Sequence, residues 1–71
     1  MESAGFLILD ETISRLEQVD PAAATVVRLR FLAGLSIEET AAVMGLSTAT
    51  VKRTWAFARG WLKERIESEN G

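Results

Sequence analysis

The chain has 71 residues, 48% of them hydrophobic, a formal net charge of −2, and neither cysteine nor histidine. That length supports one small domain, which buries only ~60% of the surface its unfolded chain exposes. The two absences exclude disulfides, thiolate metal sites, cysteine nucleophiles and histidine-based hydrolase or zinc centres, so neither catalysis nor a metal or other cofactor is expected.

Strand signals are poor, and four helices are predicted. Residues 1–8 read as a flexible lead or linker remnant, with Phe6 and Leu7 available to pack on the body. "FLIL" at Phe6–Leu9 is far short of the ~18 apolar residues that span a bilayer. It follows Glu2 rather than a basic stretch, which is not the pattern of a signal peptide. A cytoplasmic protein without a membrane segment is expected. The first helix is predicted after Asp10, running to about Val19, because Leu9, Ile13 and Leu16 recur on one helical face.

The second helix begins at "DPAA". Asp20 caps it and Pro21 takes the first helical position, where a missing N–H costs nothing. It is predicted to continue through "AAATVVRLRFLA" to Gly34 as the central, most buried helix, with Ala23, Val26, Val27, Leu29, Phe31 and Leu32 covering most of its surface. Arg30, inside this apolar run, is expected to pair with Glu38 or Glu39. The third helix opens at "SIEE", a capping box of Ser36 and Glu39. It ends at Gly45, with Ile37, Ala41 and Met44 inward. The fourth starts at the Ser47 cap and runs to roughly Glu67, carrying the stripe Val51, Trp55, Ala58, Leu62 and Ile66. Residues 69–71 read as a frayed tail, leaving 9–68 as the folded domain. Trp55 is expected in the core, and Trp61 at its flank over the first helix.

The last two helices have the features of a helix-turn-helix. Ala41 is the small residue at the crossing, Gly45 is the turn residue, and Leu46 plugs the turn. Val51 and Trp55 pin the second helix. If they face inward, Thr48, Ala49, Lys52, Arg53 and Ala56 face outward. Charge agrees with that division. Residues 1–47 carry Arg15, Arg28 and Arg30 against seven acids, a net −4; residues 48–71 carry Lys52, Arg53, Arg59, Lys63 and Arg65 against three acids, a net +2. A locally basic helix on an acidic body can still meet phosphates, because charge effects decay over ~8–10 Å at moderate salt. Lys52 and Arg53 can donate to guanine O6 and N7 or to phosphates; Thr48 and Thr50 can bond phosphates or bases. A capped two-helix corner with a solvated basic face also suits a purely structural or interaction bundle.

The stretch "LRFLAGLSIEETAAVMGLSTATVKRTWAFARGWL", Leu29–Leu62, resembles the fourth conserved region of bacterial RNA polymerase sigma factors, particularly the extracytoplasmic-function (ECF) group. "LDETISRLEQVDPAAATVV" fits the first two helices of the same domain. The resemblance implies an all-α, small four-helix domain with a C-terminal helix-turn-helix and a long recognition helix. It implies recognition of the upstream (minus-thirty-five) element of double-stranded promoter DNA. It also implies docking on the flap of the polymerase β subunit and, in members that have one, masking by an anti-sigma factor. By position, Ser47, Thr48, Thr50, Lys52, Arg53, Ala56, Phe57 and Arg59 lie at or near the DNA. A monomer is expected in isolation. The sequence departs from relatives at Ala56 and Phe57, where basic or polar residues are common, and at Thr40, where an aliphatic is usual. Phe57 suits either a thymine methyl group or packing against Trp61 or a partner protein. Two alternatives remain at this point: a LuxR-like response-regulator output domain, which lacks its usual "RE" pair here, and a helix-turn-helix that docks to protein without strong DNA contact.

Overall fold

A computed structural model describes the backbone of residues 2–70 and the side chains of residues 9–68. The described residues form four helices and no strand: α1 Glu2–Val19; α2 Pro21–Val27, extended by a π-helical turn Arg28–Leu32; α3 Ile37–Met44; and α4 Thr48–Asn70. α1 begins at Glu2 rather than after Asp10, so Asp10 lies inside the helix and caps nothing. Residues 2–9 contain one glycine and no proline, and a single glycine in a helix interior costs only ~1 kcal/mol. The expected packing of Phe6 and Leu7, like Met1 and Gly71, lies outside the described residues. α4 likewise passes the predicted end at Glu67 and continues to Asn70.

The caps form as the residues dictate. Ala23 donates its N–H to Asp20 Oδ1 at 3.2 Å, and Pro21 opens α2. At α3, the Glu39 N–H donates to Ser36 Oγ at 3.0 Å, and the Ser36 N–H donates to Glu39 Oε1 at 2.8 Å. Gly45 has φ 69°, in the left-handed region that a side chain disfavours, and this lets Leu46 N–H reach Ala41 C=O at 3.0 Å.

α2 is central, packed against α1 on one side and α4 on the other, with Ala23, Ala24, Val26 and Val27 buried. One cluster joins Ile13 and Leu16 of α1, Ala23, Ala24 and Val27 of α2, and Ala58 and Leu62 of α4; Leu9, Trp55 and Trp61 cover it. A second joins Val26, Ala41 and Val51, with Ile37, Met44 and Trp55 around it. Trp55 is half-buried and belongs to both, so it stitches the α1–α2 layer to the helix-turn-helix. Trp61 flanks the core, as expected.

The end of α2 differs from the prediction. After Val27 the ladder widens: Ala33 N–H bonds Arg28 C=O at 2.9 Å, and Leu35 N–H bonds Leu29 C=O at 2.9 Å, across Gly34 at φ 75°. The extra residue in this turn breaks the 3.6-residue period. Phe31 and Leu32 therefore leave the buried face and are 59% and 48% exposed. Arg30 does not pair with Glu38 or Glu39. Its Nη1 donates to Leu35 C=O at 2.7 Å, and its guanidinium lies 5.1 Å from the Trp55 ring centroid. One side chain thus ties the π turn, the loop into α3 and α4. Leu46, expected to plug the turn, is 37% exposed. Thr40 of α3 is fully buried with Oγ1 unpartnered.

Candidate nucleic-acid interface

The N-terminal half of α4 is placed by three anchors. Val51 is fully buried, Ala58 is fully buried, and Trp55 lies between them. Ser47 begins the helix: Thr50 N–H donates to Ser47 Oγ at 3.1 Å, and Val51 N–H donates to Ser47 C=O at 3.1 Å. Small Ala41 sits beneath in the second cluster, where a larger side chain would hold α3 away from Val51.

With that face fixed inward, the rest follows from ~100° between successive side chains. Ala49, Arg53, Ala56 and Gly60 run along the outward crest, all exposed. Lys52, Arg59 and Lys63 line one flank. Thr50 and Phe57 line the other, with Phe57 47% exposed. Ser47 and Thr48 stand exposed at the helix tip. Every predicted site residue except Thr50, which is half-buried, is therefore on the open surface of α4. They do not form one cluster: the cationic flank and the hydroxyl–aromatic flank are separated by the crest, and Arg53 alone carries charge along it.

The cations are held to different degrees. Arg53 Nη2 makes a long 3.5 Å contact with Thr50 Oγ1. Arg59 lies 5.9 Å from the Trp55 centroid and Arg65 4.6 Å from that of Trp61, so both guanidinium groups rest over aromatic faces. From Thr48 to Lys63 the helix carries Lys52, Arg53, Arg59 and Lys63 and no acid. Its N-terminus adds the partial positive charge of the helix dipole.

One residue was missed by sequence reasoning. Lys63 joins Ala56, Arg59 and Gly60 around a shallow surface concavity on α4. Its signal was available: Arg59 and Lys63 are four residues apart, as are Ala56 and Gly60, so two cations frame two small residues on one side of a helix. Chemically the surface can donate hydrogen bonds and neutralise anions. Among the described residues no acidic cluster suited to a metal is present.

A protein-family model described as ECF sigma factor matches residues 2–68. No curated protein and no solved structure matches the chain. The matched segment reaches all four helices, so the likeness covers the packed body as well as the helix-turn-helix, and it favours the sigma-factor reading over the response-regulator one. The chain belongs to the ECF sigma factor family, whose members are not enzymes but recognise promoters and act with RNA polymerase and DNA in transcription initiation.

Proposed function

We propose that residues 9–68 form the region 4 domain of an ECF-type sigma factor and read the upstream, minus-thirty-five promoter element through the first turns of α4. The observation that carries this reading is the geometry of α4. Its end is capped by Ser47, its buried face is pinned by Val51 and Ala58, and Arg53 stands on an outward crest otherwise made of Ala49, Ala56 and Gly60. Small crest residues let a helix sit deep in a major groove ~12 Å wide. In this arrangement Arg53 reaches base edges, Phe57 meets a thymine methyl group, and Lys52, Arg59 and Lys63 meet phosphates along one strand. Ser47, Thr48 and Thr50 lie at the end that enters first.

The polymerase contact is assigned to the β-subunit flap, and an anti-sigma factor is a further partner where one exists. Phe31 and Leu32, exposed on the π turn rather than on α4, support a protein contact separate from the DNA-facing edge. The domain works as a monomer in the cytoplasm, where promoter and polymerase are found; no helix of the described residues is long and apolar enough to cross a membrane. Titrating the 15N-labelled chain with promoter-like duplex at low salt tests the DNA reading: amide signals of residues 47–57 should shift together. The exposed Phe57 supports a second reading, docking to protein without strong DNA contact. That reading wins if no duplex perturbs Lys52 or Arg53 even at low salt.

A further inference from the structure

Ser47, Thr50 and Arg53 follow one another at intervals of three along the start of α4, and their polar groups are joined. Thr50 N–H donates to Ser47 Oγ at 3.1 Å, Ser47 Oγ–H donates to Thr50 Oγ1 at 2.9 Å, and Arg53 Nη2 approaches Thr50 Oγ1 at 3.5 Å. A hydroxyl has one hydrogen and two acceptor sites. Both acceptor sites of Thr50 Oγ1 are thus occupied, by Ser47 and by Arg53. Its own hydrogen is left over, as is one acceptor site on Ser47. If the shared proton reverses, so that Thr50 donates to Ser47, the roles exchange: Ser47 then holds the free hydrogen and Thr50 the free acceptor site. In either arrangement the pair offers one donor and one acceptor outward.

We propose that Thr50 is a positioning residue: the Ser47–Thr50 hydroxyl pair holds the Arg53 guanidinium in a fixed orientation on α4 before it meets the DNA. This rests on the reading of α4 as the DNA-contacting edge, and it assigns Thr50 a function different from that of the phosphate-neutralising flank. Arg53 has several rotatable bonds and is exposed. Bonding it to a hydroxyl at the i−3 position narrows the directions its planar fork can take before it meets a base, which lowers the ordering cost of binding. The half-buried position of Thr50 fixes the bracket itself.

The test compares Thr50→Val, which keeps the branched shape and deletes the hydroxyl, with Thr50→Ser, which restores it. Arg53→Ala and the double variant Thr50→Val/Arg53→Ala complete a cycle. The first readout needs no DNA: 15N relaxation of the Arg53 side chain in the free chain. Thr50→Val should make that group more mobile, and Thr50→Ser should return it to the wild-type value. The second readout is the ratio of affinities for a duplex selected by the wild-type chain from a randomised pool and for a scrambled duplex of the same composition. Thr50→Val should reduce that preference roughly fivefold to tenfold, toward the low end of what one good base contact provides. It should leave the salt slope unchanged and add nothing in the Arg53→Ala background. Identical Arg53 relaxation in wild type and Thr50→Val overturns the positioning role whatever the DNA data show. Additive losses, or a salt slope lowered by about one with preference intact, overturn it by making Thr50 an independent or phosphate contact. Failure of the pool to yield any preferred duplex overturns the DNA reading itself; the relaxation data then report separately whether the bracket holds.

Discussion

Thr40 and Arg53 show how differently two polar side chains are placed in one small domain. Thr40 is fully buried and its Oγ1 has no partner, so folding strips water from a hydroxyl and returns no hydrogen bond. Such a group costs about 1–3 kcal/mol relative to one that is satisfied. Thr40→Val replaces the hydroxyl with a methyl of nearly the same shape, and it should stabilise the domain by about 1 kcal/mol, read as a higher midpoint in urea at unchanged m-value. Thr40 was recognisable in the sequence as a departure from the aliphatic pattern, but not as a fully buried side chain with an unpartnered hydroxyl. Position in a helical period tells which face a residue shares, not whether a polar group on that face finds a hydrogen-bond partner. Arg53 is the opposite case, exposed and separated from the flanking cations. Arg53→Ala should reduce the preference for promoter over scrambled duplex about tenfold or more. Lys63→Ala should instead weaken both duplexes alike and lower the salt slope by about one, as loss of one phosphate contact does. Equal losses of preference in the two variants would count against a base-reading role for Arg53.

At the scale of elements, local chemistry and tertiary ties acted in different places. The starts of α2, α3 and α4 were legible because Asp20, Ser36 and Ser47 bond N–H groups three residues away, and such bonds depend only on neighbouring sequence. The end of α2 was not legible. Its π turn is held from outside by Arg30, whose partners are a carbonyl five residues ahead and a ring on α4. Nothing in the spacing of "RLRFL" distinguishes a continuing α-helix from a widened turn, since Arg30 had acidic residues within reach as alternative partners. The start of α1 was missed because its prediction rested on the recurrence of Leu9, Ile13 and Leu16, which marks a helical face and not where the helix begins, and only one glycine precedes them. The Arg30 tie can be tested directly. Arg30→Met keeps an apolar stem over Trp55 but deletes the bond to Leu35 C=O and the cation–π contact, and should cost about 1–3 kcal/mol. Hydrogen exchange at the Ala33 and Leu35 amides should accelerate first, while the Ser36–Glu39 capping box stays protected. Uniform acceleration across α3 would mean that Arg30 supports the whole helix-turn-helix rather than the turn.

For the molecule as a whole, the net charge of −2 conceals a dipole: the body up to residue 47 is acidic, and α4 from Thr48 to Lys63 carries only cations. Repulsion between the acidic body and DNA acts over distance and is screened beyond ~8–10 Å at moderate salt, whereas cations placed against phosphates release counterions on contact. The two effects make separate predictions. On the proposed reading, the number of phosphates neutralised is limited by one helix whose cationic flank is Lys52, Arg59 and Lys63, with Arg53 on the crest. Roughly two to four contacts correspond to a log–log slope of about −2 to −4. Affinity should then fall between about 15-fold and 250-fold from 50 to 200 mM salt, a range set by that slope. A slope steeper than about −6 would require cations beyond α4, and the acidic body has few to offer. A slope near zero would mean that the basic flank does not touch phosphate at all. Fluorescence anisotropy with the same duplex across a salt series measures the slope, and repeating it with Lys52→Ala, Arg59→Ala and Lys63→Ala assigns it. If the flank follows one strand, each change should lower the slope by about one, and their effects should add because the side chains do not bond each other.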